Sequence, residues 1–182
     1  TNDGKLSVES LRRLLIRRGD QHFSQAKAIS ITQPTELGTV YSLEEIAAIC
    51  QFAKQNKLRV HMDGARLVNA AYFLKCTLQQ MTSDLGVDVV SFGGTKNGLM
   101  FGEAVVLLNS EIKNDFKFLR KQMMQLPSKT RFIAAQFQAW LGTDLHREIA
   151  QKVHGLALQL RDLLLQEPSI KVTQEVQSNA VF

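Results

Sequence analysis

The chain has 182 residues, 45% hydrophobic and 21% charged, which sits within the range of ordinary globular domains able to bury a sizeable core. The formal net charge is +5, yet the base concentrates only in "LRRLLIRRGD" (residues 11–20), without the interleaved aromatics or reader motif of a nucleic-acid surface. No run approaches the roughly 18 apolar residues of a membrane span, and the charged-then-apolar order of a signal peptide is missing.

In chain order, Val8 to Arg18 reads as an amphipathic helix, with Arg12, Arg13, Arg17 and Arg18 wet and Leu11, Leu14, Leu15 and Ile16 apolar. "KAISIT" (27–32) reads as a buried strand ended by Pro34. Ser42 with Glu45 three residues on forms a capping box, followed by Ile46, Ile49, Cys50 and Ala53 at helical spacing to about Asn56. "LRVHM" (58–62) is a short strand, Ala65 to Leu74 a helix, "VDVVSF" (87–92) a strand and "EAVVLL" (103–108) another. Strands separated by helices imply an α/β fold, a mostly parallel sheet with helices on both faces.

One connection departs from that rule. Only ten residues, Gly93 to Gly102, join the last two strands, and four of them are glycine. A parallel crossover needs about a dozen residues or more, so these strands should pair antiparallel, with the glycine-rich loop at the C-terminal edge of the sheet. Ligands of open α/β sheets bind at that edge.

Beyond residue 110 the pattern is helical: Glu111 to Leu126 after a Ser110 cap, Lys129 to Leu141, and Asp144 to Gln166. In the last, Leu145, Ile149, Val153, Leu156, Leu160, Leu163 and Leu164 form one continuous apolar stripe. "IKV" and "NAVF" after Pro168 return to strand character. This divides the chain into a first unit, residues 1–143, and a long helix with the beginning of a smaller domain, residues 144–182. A start at Thr1 and an end at Phe182, within what reads as a new strand, suggest a fragment of a longer protein.

The chemistry-bearing residues cluster in two motifs. In "VHMDGAR" (60–66), Asp63 follows a short strand and Gly64 lets the chain turn sharply; Asp63 either points into the ligand crevice or caps the next helix. In "VSFGGTKNG" (89–97), Lys96 sits in a glycine loop that lacks the GxxxxGK[ST] order of a phosphate loop, since Thr95 precedes it and Asn97 follows. Alone, it reads as a solvated loop lysine. Together, the two motifs end consecutive parallel strands about 4.8 Å apart, so an acid and an amine can converge on one flat ligand. Pyridoxal phosphate suits such a pair, with its aldehyde on a lysine and its protonated pyridine nitrogen on an acid; the geometry permits this reading without selecting it.

Other residues read more plainly. His61 with Asp63 makes an HxD pair but lacks a third ligand at metal spacing. His22, His146 and His154 are isolated. Glu36 in "TELGTVY" follows a strand at the same sheet edge and either borders the pocket or has no role. Trp140 and its apolar neighbours read as core or subunit interface. Cys50 and Cys76 have no CxxC spacing and read as reduced, structural thiols, which suits the cytosol.

"HMDGARLVNAA" together with "VDVVSFGGTKNG" and "TELGTVYSLEEI" resembles the threonine aldolase and β-eliminating lyase family, pyridoxal-phosphate enzymes of the aspartate-aminotransferase fold, with the strongest motifs between residues 32 and 106. The similarity extends over essentially the whole chain. It implies that Asp63 pairs with the pyridinium nitrogen, that Arg66 binds near the cofactor hydroxyl and the substrate α-carboxylate, and that Lys96 carries the Schiff base, with Gly94 and Thr95 shaping its loop. It implies cleavage of the Cα–Cβ bond of a β-hydroxy-α-amino acid, with β-elimination as the alternative, and a cytoplasmic homodimer or homotetramer. An amine must be uncharged to attack an aldehyde, which burial beside other cations favours. Residues 1–143 would be the C-terminal part of the cofactor-binding domain. The family's phosphate-binding loop and ring-stacking residue precede the matched part, and its small-domain arginine follows it, so a catalytically incomplete fragment is the further alternative.

Overall fold

Four strands build the frame of the computed structural model, which describes residues 2–112 and 115–182. They are β1 (Ala28–Thr32), β2 (Arg59–Gly64), β3 (Val89–Gly93) and β4 (Glu103–Leu107), side by side in chain order. β1, β2 and β3 run parallel, and β4 returns antiparallel to β3 with Gly93 opposite Glu103. The ten-residue glycine loop is therefore a tight return, as its length requires.

Helix α2 (Leu43–Gln55) joins β1 to β2, and its first turn is closed reciprocally: the Glu45 N–H donates to Ser42 Oγ at 3.2 Å and the Ser42 N–H to Glu45 Oε2 at 2.7 Å. α3 (Leu67–Leu74) and the short α4 (Leu78–Met81) join β2 to β3. Right-handed crossovers that advance a sheet in one direction carry their helices to one face. Accordingly Ile29, Ile31, Val60, Met62, Val90 and Phe92 share one core with Ile46, Ile49, Leu67 and Val68. A fully buried aliphatic side chain contributes roughly 1.5–3 kcal/mol, so this face supplies the main apolar stabilisation. The alternate strand positions form the other face, which carries half-buried His61, Asp63 and Ser91, exposed Ser30 and a 49% exposed Val105. The sheet and its helices match the expected class, with both crossover helices on the apolar face in this chain.

Three elements along the chain differ from the sequence reading. Helix α1 (Val8–Leu14) stops four residues early. Arg17 takes φ 50° and Gly19 φ 87°, while the Gln25 side-chain amide gathers the carbonyls of Arg17, Asp20 and Phe23; Leu14 is thereby left 71% exposed. α4 was not apparent in the sequence, although Thr77 and Gln80 cap it reciprocally. The helix expected over Glu111 to Leu126 is a turn at Ser110–Ile112 followed by α5 (Phe116–Gln122); its residues 113 and 114 lie outside the described ones.

After α6 (Arg131–Gly142) and α7 (Leu145–Leu164), no strand forms among the described residues 169–182. The Thr173 N–H donates to the Phe182 carbonyl at 2.7 Å, but the segment docks otherwise through side chains. Gln177 Oε1 accepts from the Val40 N–H at 2.7 Å, and the buried Ser178 hydroxyl donates to the Gly38 carbonyl at 3.0 Å. Instead of pairing as strands, the segment is tied to the 38–40 loop by Gln177 and Ser178, which directly precede "NAVF". α7 packs against α3 and α6, but only part of its stripe is covered: Ile149, Val153 and Leu164 are half-buried, while Leu156, Leu160 and Leu163 are 53%, 48% and 63% exposed.

Candidate active site at the carboxyl edge of the sheet

Asp63 closes β2 on the polar face, opposite Thr32 of β1 and Ser91 of β3. Its Oδ1 accepts from the Ala65 N–H at 3.0 Å, which bends the chain but does not cap α3, whose N-cap is Arg66. The helix begins two residues later than the sequence suggested because this turn occupies residues 65 and 66. Among the described residues Asp63 Oδ2 has no hydrogen-bond partner, so one carboxylate oxygen remains free to accept.

The lysine loop starts where β3 ends. A single turn spans Thr95–Asn97, and the Gly94 N–H donates to the Gly102 carbonyl at 2.9 Å. Thr95 Oγ1 accepts from the Gly102 N–H at 3.0 Å, so Gly94 and Thr95 do shape the loop. Lys96 is exposed and makes no hydrogen bond or ion pair among the described residues. The burial expected for an uncharged amine is therefore not supplied by these residues.

Two contacts bind this loop to the Asp63 turn. Gly93 lies so close to the neighbouring backbone that an added Cβ would stand 2.7 Å from both Cα and O of Ala65. Asn97, 2% exposed, donates from Nδ2 to the carbonyls of Gly93 at 2.7 Å and Ala65 at 3.0 Å. Sequence reasoning used Asn97 only to dismiss a phosphate loop and missed this function. The available signal was an amide directly after the lysine in a glycine-rich turn.

Arg66 is partly exposed, and its Nη1 lies 3.9 Å from Glu36 Oε1, so Glu36 does border this edge. Gln33, wholly buried and also missed, holds the Glu36 loop: its side-chain amide pairs with both backbone groups of Tyr41, and its N–H donates to the Asp63 carbonyl at 2.8 Å. His61 lies on the same face, with Nδ1 2.8 Å from Ser30 Oγ and Nε2 2.9 Å from Ser91 Oγ. Both ring nitrogens are engaged by hydroxyls, which accounts for the HxD spacing as a brace across three strands. Among the described residues no three His, Cys, Asp or Glu side chains gather in a metal-binding group.

The remaining candidates lie elsewhere. Trp140, 1% exposed, packs against Phe92, Phe137 and His146 in the core. His154 rests on Tyr72 and Phe73, and His22 is exposed. Cys50 and Cys76 are free; burial, then the charge of Asp88, pushes the Cys50 thiol up to about 11. One cavity of about 330 Å³ lies between Tyr72 of α3 and Arg147 of α7, and another of about 720 Å³ lies at the opposite sheet edge, beside Arg59 and Asp88. Neither includes Asp63, Arg66 or Lys96, which occupy an open ledge.

That ledge offers a primary amine, a carboxylate with a free oxygen and a planar guanidinium. Pyridoxal phosphate with an amino acid needs this donor set: an amine for the aldehyde, an acceptor for the ring N–H and a fork for a carboxylate. The residues fit the group. No helix among the described residues is long and apolar enough to cross a membrane.

The low specificity L-threonine aldolase of Pseudomonas aeruginosa is 39% identical over 182 residues, covering 100% of this chain and 53% of that protein. That of a Pseudomonas sp. is 38% identical over 179 residues, with 98% and 52% covered. The solved structure of Leishmania major threonine aldolase superimposes with a TM-score of 0.91 at 30% identity, over 100% of this chain and 53% of that one. The chain thus spans about half the length of the curated relatives it matches. The β-eliminating lyase family matches residues 1–182, and with that full-length match the chain belongs to the β-eliminating lyase family.

Proposed function

We propose that the protein is a pyridoxal-phosphate-dependent lyase that cleaves the Cα–Cβ bond of a β-hydroxy-α-amino acid, converting threonine or allothreonine to glycine and acetaldehyde. The observation that carries this reading is the convergence of the Asp63–Arg66 turn and the Lys96 loop at one sheet edge, joined through Gly93 and Asn97. The similarity to low specificity L-threonine aldolases supports the reaction.

When bound, pyridoxal phosphate supplies the conjugated ring that accepts the electron pair of the breaking bond. Lys96 Nζ is the amine that attaches the cofactor covalently. Asp63 Oδ2 keeps a proton on the ring nitrogen, an assignment that uses the oxygen left over from the Ala65 turn. Arg66 grips the substrate α-carboxylate as a fork, displacing the loose contact with Glu36, and so orients the bond to be cut. Residues 144–182 begin a smaller domain, for which the bare Leu156, Leu160 and Leu163 stripe is a docking face. A cytoplasmic homodimer or homotetramer is part of the same proposal. Because Lys96 stands on an open ledge, the 182-residue chain alone binds the cofactor weakly; stable stoichiometric loading of that chain would contradict this.

The description of the matched family favours a second reading, β-elimination. Incubation of the full-length protein with threonine, allothreonine or an aromatic amino acid separates the two. Glycine with acetaldehyde is expected; ammonia without glycine would replace aldol cleavage by elimination.

A further inference from the structure

Asn97 is the most fully committed side chain beside the lysine. Its amide has two N–H donors and one carbonyl oxygen, and both Nδ2 and Oδ1 are engaged. Nδ2 serves the carbonyl of Gly93 at the end of β3 and that of Ala65 in the Asp63–Arg66 turn, while Oδ1 accepts from Asn69 Nδ2 at 3.3 Å. Asn69 is itself buried, 3% exposed, on the first turn of α3, and its N–H donates to the Arg66 carbonyl at 3.0 Å. Three elements thus meet at one amide: the strand leading to Lys96 and the turn between Asp63 and Arg66 through their carbonyls, and the helix that follows through the Asn69 side chain.

We propose that Asn97 is the positioning residue of the site, holding the Lys96 loop in register with Asp63 and Arg66; this rests on the reading of Lys96 as the cofactor lysine. Lys96 and Arg66 extend from the surface on flexible stems, so the protein can define their separation only through the backbones that carry them. Asn97 is adjacent to Lys96 in the chain, and its farther acceptor, Ala65, is adjacent to Arg66. Buried polar groups left unpaired are costly, so the two carbonyls and the amide fix one another's place. A filler of similar volume, such as Leu, would occupy the space but would leave both carbonyls without a donor. Asp would be nearly isosteric and would turn an oxygen toward each.

The test compares Asn97→Asp with the milder Asn69→Ala in the full-length protein, using pyridoxal phosphate as the probe. The near-visible absorbance of the lysine-bound cofactor is titrated against its concentration and against pH, and amide hydrogen exchange is followed across residues 64–67 and 93–102. In Asn97→Asp we expect affinity to fall by about tenfold to a hundredfold, the scale of a small misplacement of reacting groups, with a shifted pH midpoint and faster exchange in both segments. Asn69→Ala should move all three readouts the same way, less far, and keeps the test open should Asn97→Asp fold poorly. Unaltered affinity and pH midpoint in a folded Asn69→Ala, or faster exchange in the lysine loop alone, would overturn the proposal. If the wild type takes up no cofactor, the lysine reading fails, while the paired exchange still decides whether Asn97 couples the two segments.

Discussion

Gly93→Ala probes the contact that sets the site apart from an ordinary pair of strand ends. The added methyl carbon would lie 2.7 Å from Cα and O of Ala65, both backbone atoms, and 2.9 Å from Glu103 Oε2. The glutamate tip can swing aside; the Ala65 backbone cannot do so without moving the turn that carries Asp63 and Arg66. Reaching an ordinary contact of 3.4 Å requires the backbones to part by roughly 0.7 Å. Overpacking of this kind costs about 1–3 kcal/mol, and about 2–4 °C in Tm follows each kcal/mol in a domain of about this size. Thermal unfolding should therefore fall by roughly 2–12 °C. The same displacement approaches the ~1 Å that lowers reactivity about a hundredfold, so glycine formation from threonine should fall by more than tenfold. Gly155, inside α7, has nothing within 4 Å of a built Cβ and serves as the control. Gly155→Ala should stabilise by about 0.5–1 kcal/mol with no loss of turnover. A Gly93→Ala protein that melts and turns over like the wild type would refute the argument that the two loops are in backbone contact.

Asp88, buried at the opposite sheet edge, accepts from the Val60 N–H at 2.7 Å and meets Arg59 Nη1 at 3.3 Å. Asp88→Ala leaves the Val60 N–H without its partner and should cost about 1–3 kcal/mol in urea unfolding, with the cofactor affinity of the distant edge retained. The Cys50 thiol, raised by burial to about 11 from 9.0, stays protonated in the folded chain where the unfolded chain ionises. Its contribution is thus complete below pH 9 and is lost as pH rises from 9 toward 11. Cys50→Ala should flatten the alkaline fall in Tm across that window, and wild-type Cys50 should resist thiol reagents at pH 7 until the chain unfolds. Lys96→Ala should abolish the near-visible cofactor absorbance without lowering the Tm of the cofactor-free protein, because Lys96 is exposed and has no internal partner among the described residues.

The architecture was legible where one short pattern determined one local structure. Ser42 with Glu45 announced the start of α2, and ten residues rich in glycine left β3 and β4 no choice but an antiparallel return. Asp63 and Lys96 could be placed at one edge because consecutive parallel strands end there. The ties between them were not legible: Asn97 donates to Ala65 across 32 positions of sequence, and no local spacing encodes such a partner. The partners of His61 were hidden for the same reason, since Ser30 and Ser91 become its neighbours only when the sheet forms. At the C-terminal end, β-branched and apolar residues suggested strands, but a strand needs an edge to pair with. There the Ser178 hydroxyl and the Gln177 amide meet the 38–40 loop instead.

The most direct test of the account is borohydride reduction of the full-length protein with pyridoxal phosphate, followed by mass mapping of the peptides. The account predicts a stable cofactor adduct on Lys96, absent in Lys96→Ala. An adduct on another lysine in the wild type, with Lys96 unmodified, would contradict it.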